Sequence, residues 1–196
     1  MKNRSTLFFH RDPVKVAREL LGDLLVYEHP ARGRLIGRIV ETEAYRGEED
    51  LACHASSGPT PRNAPLYGPP GRCYVYLIYG MYNMFNAVTS EEGEPAAVLI
   101  RALEPVEGLS LETDGPGKLT RAMDITRDLN NEPLNGDKIT IVEDHSYPDS
   151  HIRSAPRIGV DYAGIWAELP WRFLVASSPW ISKPAPGEKK LRRPKS

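Results

Sequence analysis

Residues 73–89 read CYVYLIYGMYNMFNAVT, the most aromatic stretch of the chain. Runs of strand-forming residues lead up to Tyr79-Gly80 and away from it again. The stretch therefore reads as two antiparallel strands joined by a hairpin. Its tip is unusual. Hairpin tips are normally polar, and Tyr79 places a large aromatic ring there. Upstream, residues 46–72 are polar and rich in Gly and Pro. A loop of that length inside a compact domain is functional or disordered, and its strongly patterned flanks argue against disorder. Downstream, residues 96–103 form a third apolar strand, expected to close at Glu104-Pro105.

Further out, residues 24–27 and 35–45 read as strands around a turn at 30–33, and residues 139–143, 157–160 and 172–176 complete the set. Asp12-Pro13 has the chemistry of a helix start, with Asp as the cap and Pro at the first position. A second short helix is expected over 118–125, behind the Gly115-Pro116-Gly117 turn. Hairpins with few, short helices predict an α+β fold: a single compact domain over residues 1–182, mostly antiparallel sheet, with a protruding β-hairpin and short flanking helices. Residues 183–196 carry six basic residues and one acidic residue and read as a flexible basic tail.

The chain has 196 residues with a formal net charge of −1. With the tail at +5, the body stands at −6, so a nucleic-acid partner requires a local basic surface. No apolar run approaches the ~18 residues of a membrane span, and the start lacks a signal-peptide core. Cys53 and Cys73 form no C-x-x-C pair, and the five histidines are scattered. These features predict an intracellular chain with reduced thiols and neither metal nor cofactor, placed in the cytoplasm or nucleoid if the source is prokaryotic.

Several residues stand out against the strand pattern. In IVETEAY, Glu41 and Glu43 lie two apart on one strand, so both face one side. They read either as a solvated face or as a carboxylate at the edge of a cleft. Six of the nine tyrosines (45, 67, 74, 76, 79 and 82) crowd into 38 residues, as cross-strand pairs or as platforms for bases. His54, Asn86 and Arg101 are polar residues near or within apolar strands. Arg101 in VLIRALEP needs a carboxylate if buried, and Glu43 is the candidate across the sheet.

Taken together, IVETEAY, the loop HASSGPTPRN, YVYLIYGMYN, VLIRALEPVEG, GPGKL, and RIGVDYAG through SSPWIS resemble the alkyladenine (3-methyladenine) DNA glycosylase family, from about residue 17 to 182. The resemblance implies that Glu43 activates the attacking water and that Arg101 helps hold it. It implies that the flipped base sits between Tyr45 and His54 on one side and Tyr76 on the other. Tyr79 then fills the gap left in the duplex, and Asn86 limits which purines fit. Arg62 in TPRN and Lys118 behind the GPG turn are the candidate phosphate contacts.

The implied function is a monofunctional DNA glycosylase of base excision repair. It would excise alkylated or deaminated purines of the 3-methyladenine, hypoxanthine and ethenoadenine class. Its partner would be double-stranded DNA containing damaged purines, met by a monomer. A base inside a duplex hides its glycosidic bond, so the nucleotide must be extruded into a pocket. Two rivals stay open: a non-catalytic nucleic-acid-binding module of similar fold, and a hydrolase of free nucleosides, which has no use for a wedge at Tyr79.

Overall fold

A computed structural model describes residues 2–193. In chain order it runs β1 (Lys2–Asn3), α1 (Thr6–Phe9), α2 (Pro13–Glu19), β2 (Leu24–His29), β3 (Gly33–Arg46), β4 (Cys73–Ile78) and β5 (Tyr82–Val88). Then follow β6 (Ala96–Glu107), α3 (Pro116–Met123), β7 (Ile139–Glu143), β8 (Ile152–Ala155), α4 (Ile165–Glu168) and β9 (Arg172–Val175). Among the described residues the strands form one antiparallel sheet in the order β1-β7-β2-β3-β6-β5-β4, with β9 on the far half of β3 and β8 outside it. The expected α+β architecture is present, and the 78–82 hairpin closes at Tyr79-Gly80. Asp12 caps α2 through the N–H groups of Val14 and Lys15.

The strand β3 is shared. Its first half pairs with β2, its second half with β9, and β6 lines its other edge throughout. Three register shifts fall in that β3–β6 ladder, one between Ile36 and Gly37 and two beyond Ile39. Ile39 faces Leu103 and Glu41 faces Ala102, which leaves Val40 as an extra residue; Thr42 then faces Ile100, which leaves Arg101 as an extra residue. Each bulge exchanges the two faces of its strand. Before the bulge, Leu35 and Ile39 face the main core, and after it Val40 and Ala44 do. Thr42 bonds the Ala17 carbonyl of α2 from that same face. Glu41, Glu43 and Tyr45 are thereby turned to the opposite side. Without the bulge, the parity of Leu35 and Ile39 would carry both carboxylates into the hydrophobic core.

Three expectations differ. The strand β6 runs past Glu104-Pro105 to Glu107, because Pro105 sits beside another register shift, where a proline without N–H is tolerated. Residues 157–160 are not a strand. Gly159 takes φ +78° there, and Arg157 turns inward to a buried carboxylate, so the segment is an irregular loop. The third concerns the tail. Residues 183–193 lie against the domain: Ala185 is buried with Leu174 and Ile181, Arg193 stacks on Trp180, and Lys190 and Arg193 bond Asp114. The last three residues of that tail, 194–196, lie outside the described residues.

Candidate active site

On the face that the bulges expose, alternate residues of four strands line one cavity of about 230 Å³. Tyr45 comes from β3, Leu99 and Arg101 from β6, Asn86 from β5, and Tyr74 and Tyr76 from β4. The registers align Glu43, Leu99, Asn86 and Tyr74 in a single row across the sheet. The loop after β3 closes one wall with Cys53 and His54, and the loop after β8 closes another with Ile158 and Tyr162. A wider groove of about 700 Å³ elsewhere is edged by Glu48, Glu49, Glu91 and Glu94, which repel a polyanion.

Glu43 lies beneath the cavity floor, with no exposed surface. Its Oε2 accepts the Tyr45 hydroxyl at 2.8 Å and Arg101 Nη1 at 3.2 Å, and its Oε1 accepts the Ile158 N–H at 2.8 Å. All three donors belong to residues that line the cavity. Burial, reinforced by the Glu43 charge, holds the Tyr45 phenol well above its usual pKa, so it stays a donor. Arg101 loses to burial but gains more from the Glu43 and Glu41 charges, which raise its pKa. Glu41 is equally buried, not a solvated strand face, and accepts from Arg101, Arg172 and Ser182.

The aromatic wall is continuous. His54 Nδ1 lies 3.0 Å from the Tyr74 hydroxyl, and its ring meets Tyr76 with centroids 4.3 Å apart. That spacing leaves no room for a purine between His54 and Tyr76 as they stand here. Burial and then the Arg62 charge lower the His54 pKa, which favours a neutral imidazole. The back of the Tyr45 ring is covered by Arg157, 4.8 Å from its centroid, which pairs with Asp50 in full burial. The Asn86 amide donates to the carbonyls of Tyr74 (3.0 Å) and Met84 (3.3 Å).

At the mouth, Tyr79 is 84% exposed and carries φ +52°, followed by Gly80 at +70° and a Met81 N–H bond to the Ile78 carbonyl. Within the three-residue loop 79–81, the β-turn of residues 78–81 has both central residues left-handed, a position where Asn or Gly is preferred. Across the mouth, Tyr162 is 72% exposed and also lines the cavity. Nothing in its local sequence marks it.

The two candidate phosphate contacts differ. Arg62 is exposed, donates to the Leu77 carbonyl at 2.8 Å beside the hairpin, and has no carboxylate partner among the described residues. Lys118 is bound to Glu112 at 3.0 Å and Asp114 at 3.1 Å, so its charge is largely neutralised. Arg157, Arg172 and the Ile158 N–H were missed by sequence reasoning. The one signal available was the placement of two arginines within otherwise apolar runs.

The fold and site make an α+β domain with a buried acid–arginine cluster beneath an aromatic cavity. The methylpurine-DNA glycosylase family matches residues 7–179, and the chain belongs to that family. Among its relatives, a protein of Anaeromyxobacter dehalogenans strain 2CP-1 is 52% identical over 92% of this chain and 85% of its own length. One of Myxococcus xanthus is 52% identical over 93% and 95%, and one of Legionella pneumophila strain Lens is 50% identical over 90% and 96%. All three are named as candidate 3-methyladenine DNA glycosylases.

Proposed function

We infer that this protein is a DNA glycosylase that hydrolyses the N-glycosidic bond of alkylated purines, and that it also accepts deaminated purines such as hypoxanthine. The observation that carries the reading is the buried Glu43–Arg101 pair directly beneath an aromatic cavity whose mouth bears an exposed tyrosine. A surface-charge role for Glu43, as in a mere binding module, is at odds with its complete burial. A free-nucleoside hydrolase gives no reason for Tyr79 in a left-handed turn at the rim.

The chemistry follows from the groups present. A damaged nucleotide leaves the stack at a cost of a few kcal/mol, and Tyr79 occupies the space it vacates. The base enters against Tyr45, and His54 and Tyr76, with ring centroids now 4.3 Å apart, must separate to receive it. Glu43 takes a proton from a water at the floor while the water oxygen bonds C1′. The C1′–N bond breaks, its electron pair leaves with the base, and the sugar keeps a hydroxyl. The negative charge of Glu43 also stabilises the cationic sugar of the transition state. Arg101 orients the carboxylate and the water. Among the described residues that line the cavity there is no lysine, which favours water over an amine as nucleophile. The enzyme acts as a monomer, on double-stranded DNA.

Release of free base from duplexes carrying 3-methyladenine, hypoxanthine or ethenoadenine tests the reading. Glu43→Gln should keep binding and lower excision by ~10²–10⁴. Borohydride should trap no protein–DNA adduct. Wild-type release that survives in Glu43→Gln, or a trapped adduct, overturns the assignment.

A further inference from the structure

Two carboxylates and two guanidiniums lie buried together below the cavity floor: Glu41, Glu43, Arg101 and Arg172. Arg101 is divided between the acids, with Nη1 3.2 Å from Glu43 and Nε 3.3 Å from Glu41. Neither contact is the short parallel fork that a guanidinium makes with a single carboxylate. Glu41 is the more heavily held acid. It accepts Arg172 Nη1 at 2.9 Å, the Ser182 hydroxyl at 2.8 Å and the Ser182 N–H. The same Arg172 also bonds the carbonyls of Pro156 and Lys183. It thus ties Glu41 both to the loop whose Ile158 N–H holds Glu43 and to the C-terminal segment.

We propose that Glu41, clamped by Arg172 and Ser182, is a positioning residue that draws Arg101 partly off Glu43 and so leaves Glu43 free to accept a proton. The proposal rests on the reading of Glu43 as the general base. A guanidinium forked wholly onto Glu43 would cover the lone pairs that a water must approach and would favour the ionised carboxylate, which weakens it as a base. Glu41 supplies the competing anion. Arg172 keeps the quartet neutral, so the competition is balanced.

The other groups that face Glu43 are the Tyr45 phenol on its own strand, Tyr76 from β4, and Arg157 behind Tyr45 with its partner Asp50. None of these is altered in the variants below.

The test is the pH dependence of single-turnover hypoxanthine release, where the rate rises with pH as the base ionises. Glu41→Gln leaves two guanidiniums with one carboxylate, so the plateau should fall about tenfold and the acid limb should move down by about one pH unit. Arg172→Gln leaves Arg101 more tightly drawn to Glu41, so the limb should move up. Ser182→Ala removes a neutral hydroxyl at the partly exposed edge, which donates to Glu41 at 2.8 Å and accepts Arg101 Nη2 at 3.4 Å. It should retain the fold and move the limb up by a few tenths of a unit. Should either charge variant fail to fold, Ser182→Ala and Glu41→Asp decide, the latter with a wild-type limb. Glu41→Gln and Arg172→Gln limbs that stay at the wild-type pH or move the same way overturn the proposal; where either fails to fold, a Ser182→Ala limb that does not move up or a Glu41→Asp limb that moves overturns it. If Glu43→Gln loses excision while these profiles superpose on wild type, only this proposal falls. If Glu43→Gln remains active, the underlying reading falls instead.

Discussion

The Tyr45 hydroxyl donates to Glu43 Oε2 across 2.8 Å, although the two residues are neighbours on one face of the same strand. The phenol therefore stands between the cavity and the carboxylate. A base that settles on the Tyr45 ring must turn that hydroxyl aside before water reaches Glu43. If Glu43 is the general base, the bond covers it, and the covering side chain is the one that would receive the substrate.

Tyr45→Phe removes the cover and keeps the ring, so single-turnover excision should stay within about threefold of wild type. Tyr45→Ala removes the stacking surface, worth ~1–3 kcal/mol per base, and should slow excision tenfold or more. A hundredfold loss in Tyr45→Phe would mean that the hydroxyl has a chemical role.

The turn at the cavity mouth holds Tyr79 in a left-handed conformation, φ +52°. A left-handed backbone costs an ordinary residue about 1–2 kcal/mol, and Asn tolerates it better. Tyr79→Asn should therefore hold or raise the melting temperature, while binding to lesion duplex and the flipped fraction both fall. A stability loss with unchanged binding would show that the ring serves the hairpin and not the DNA.

The sequence revealed the hairpin because Tyr79-Gly80 punctuates two strongly patterned strands. It revealed the Arg101–Glu43 pairing because a guanidinium inside VLIRALEP demands an acid. It did not reveal which side of β3 carries Glu41 and Glu43. The bulge at Val40 decides that, and Val40 looks like any other strand residue. Residues 157–160 read as a strand because the partner that draws Arg157 inward, Asp50, lies 107 positions away. Tyr162 was invisible for the same reason: only the assembled loop brings it to the mouth.

Asp114 holds two cations of the basic C-terminal segment, Lys190 and Arg193. Burial alone pushes the Asp114 pKa up, but bonds from Lys190, Lys118 and Arg193 prevail and bring it down to about 2. A depressed carboxylate pKa gives a contribution that is present above its unfolded value of ~3.9 and lost as pH falls toward 2. Tail docking should weaken over that window, and Asp114→Asn should weaken it at neutral pH. Faster tryptic cleavage at Lys189 and Lys190 is the measure. With Lys190 and Arg193 committed to Asp114, the exposed cations of the segment without an acidic partner among the described residues are Lys183, Lys189 and Arg192, the last two nearest its end. If those last two neutralise phosphates, Lys189→Gln with Arg192→Gln should flatten the salt dependence of DNA binding by about two in slope. An unchanged slope would mean that the segment stays off the DNA.

Asn86 stands in the row that joins Glu43 to Tyr74, on the strand leaving the hairpin. Both of its amide bonds run to backbone carbonyls, at Tyr74 and Met84, which fixes the side chain against the cavity wall. Its Oδ1 has no hydrogen-bond partner among the described residues, although Asn86 lines the cavity. Guanine differs from adenine and hypoxanthine by an exocyclic amino group on its minor-groove edge. A side chain held rigidly at that edge crowds the extra group. Asn86→Ser withdraws the bulk and should raise release of guanine-type lesions relative to hypoxanthine. The two carbonyls also lose their donor, so a modest fall in melting temperature should accompany the change. The ratio between substrates separates the two effects, because a purely structural loss lowers both alike. Parallel losses on guanine-type and hypoxanthine duplexes would place Asn86 in the scaffold and leave the selectivity of the cavity to the surrounding rings.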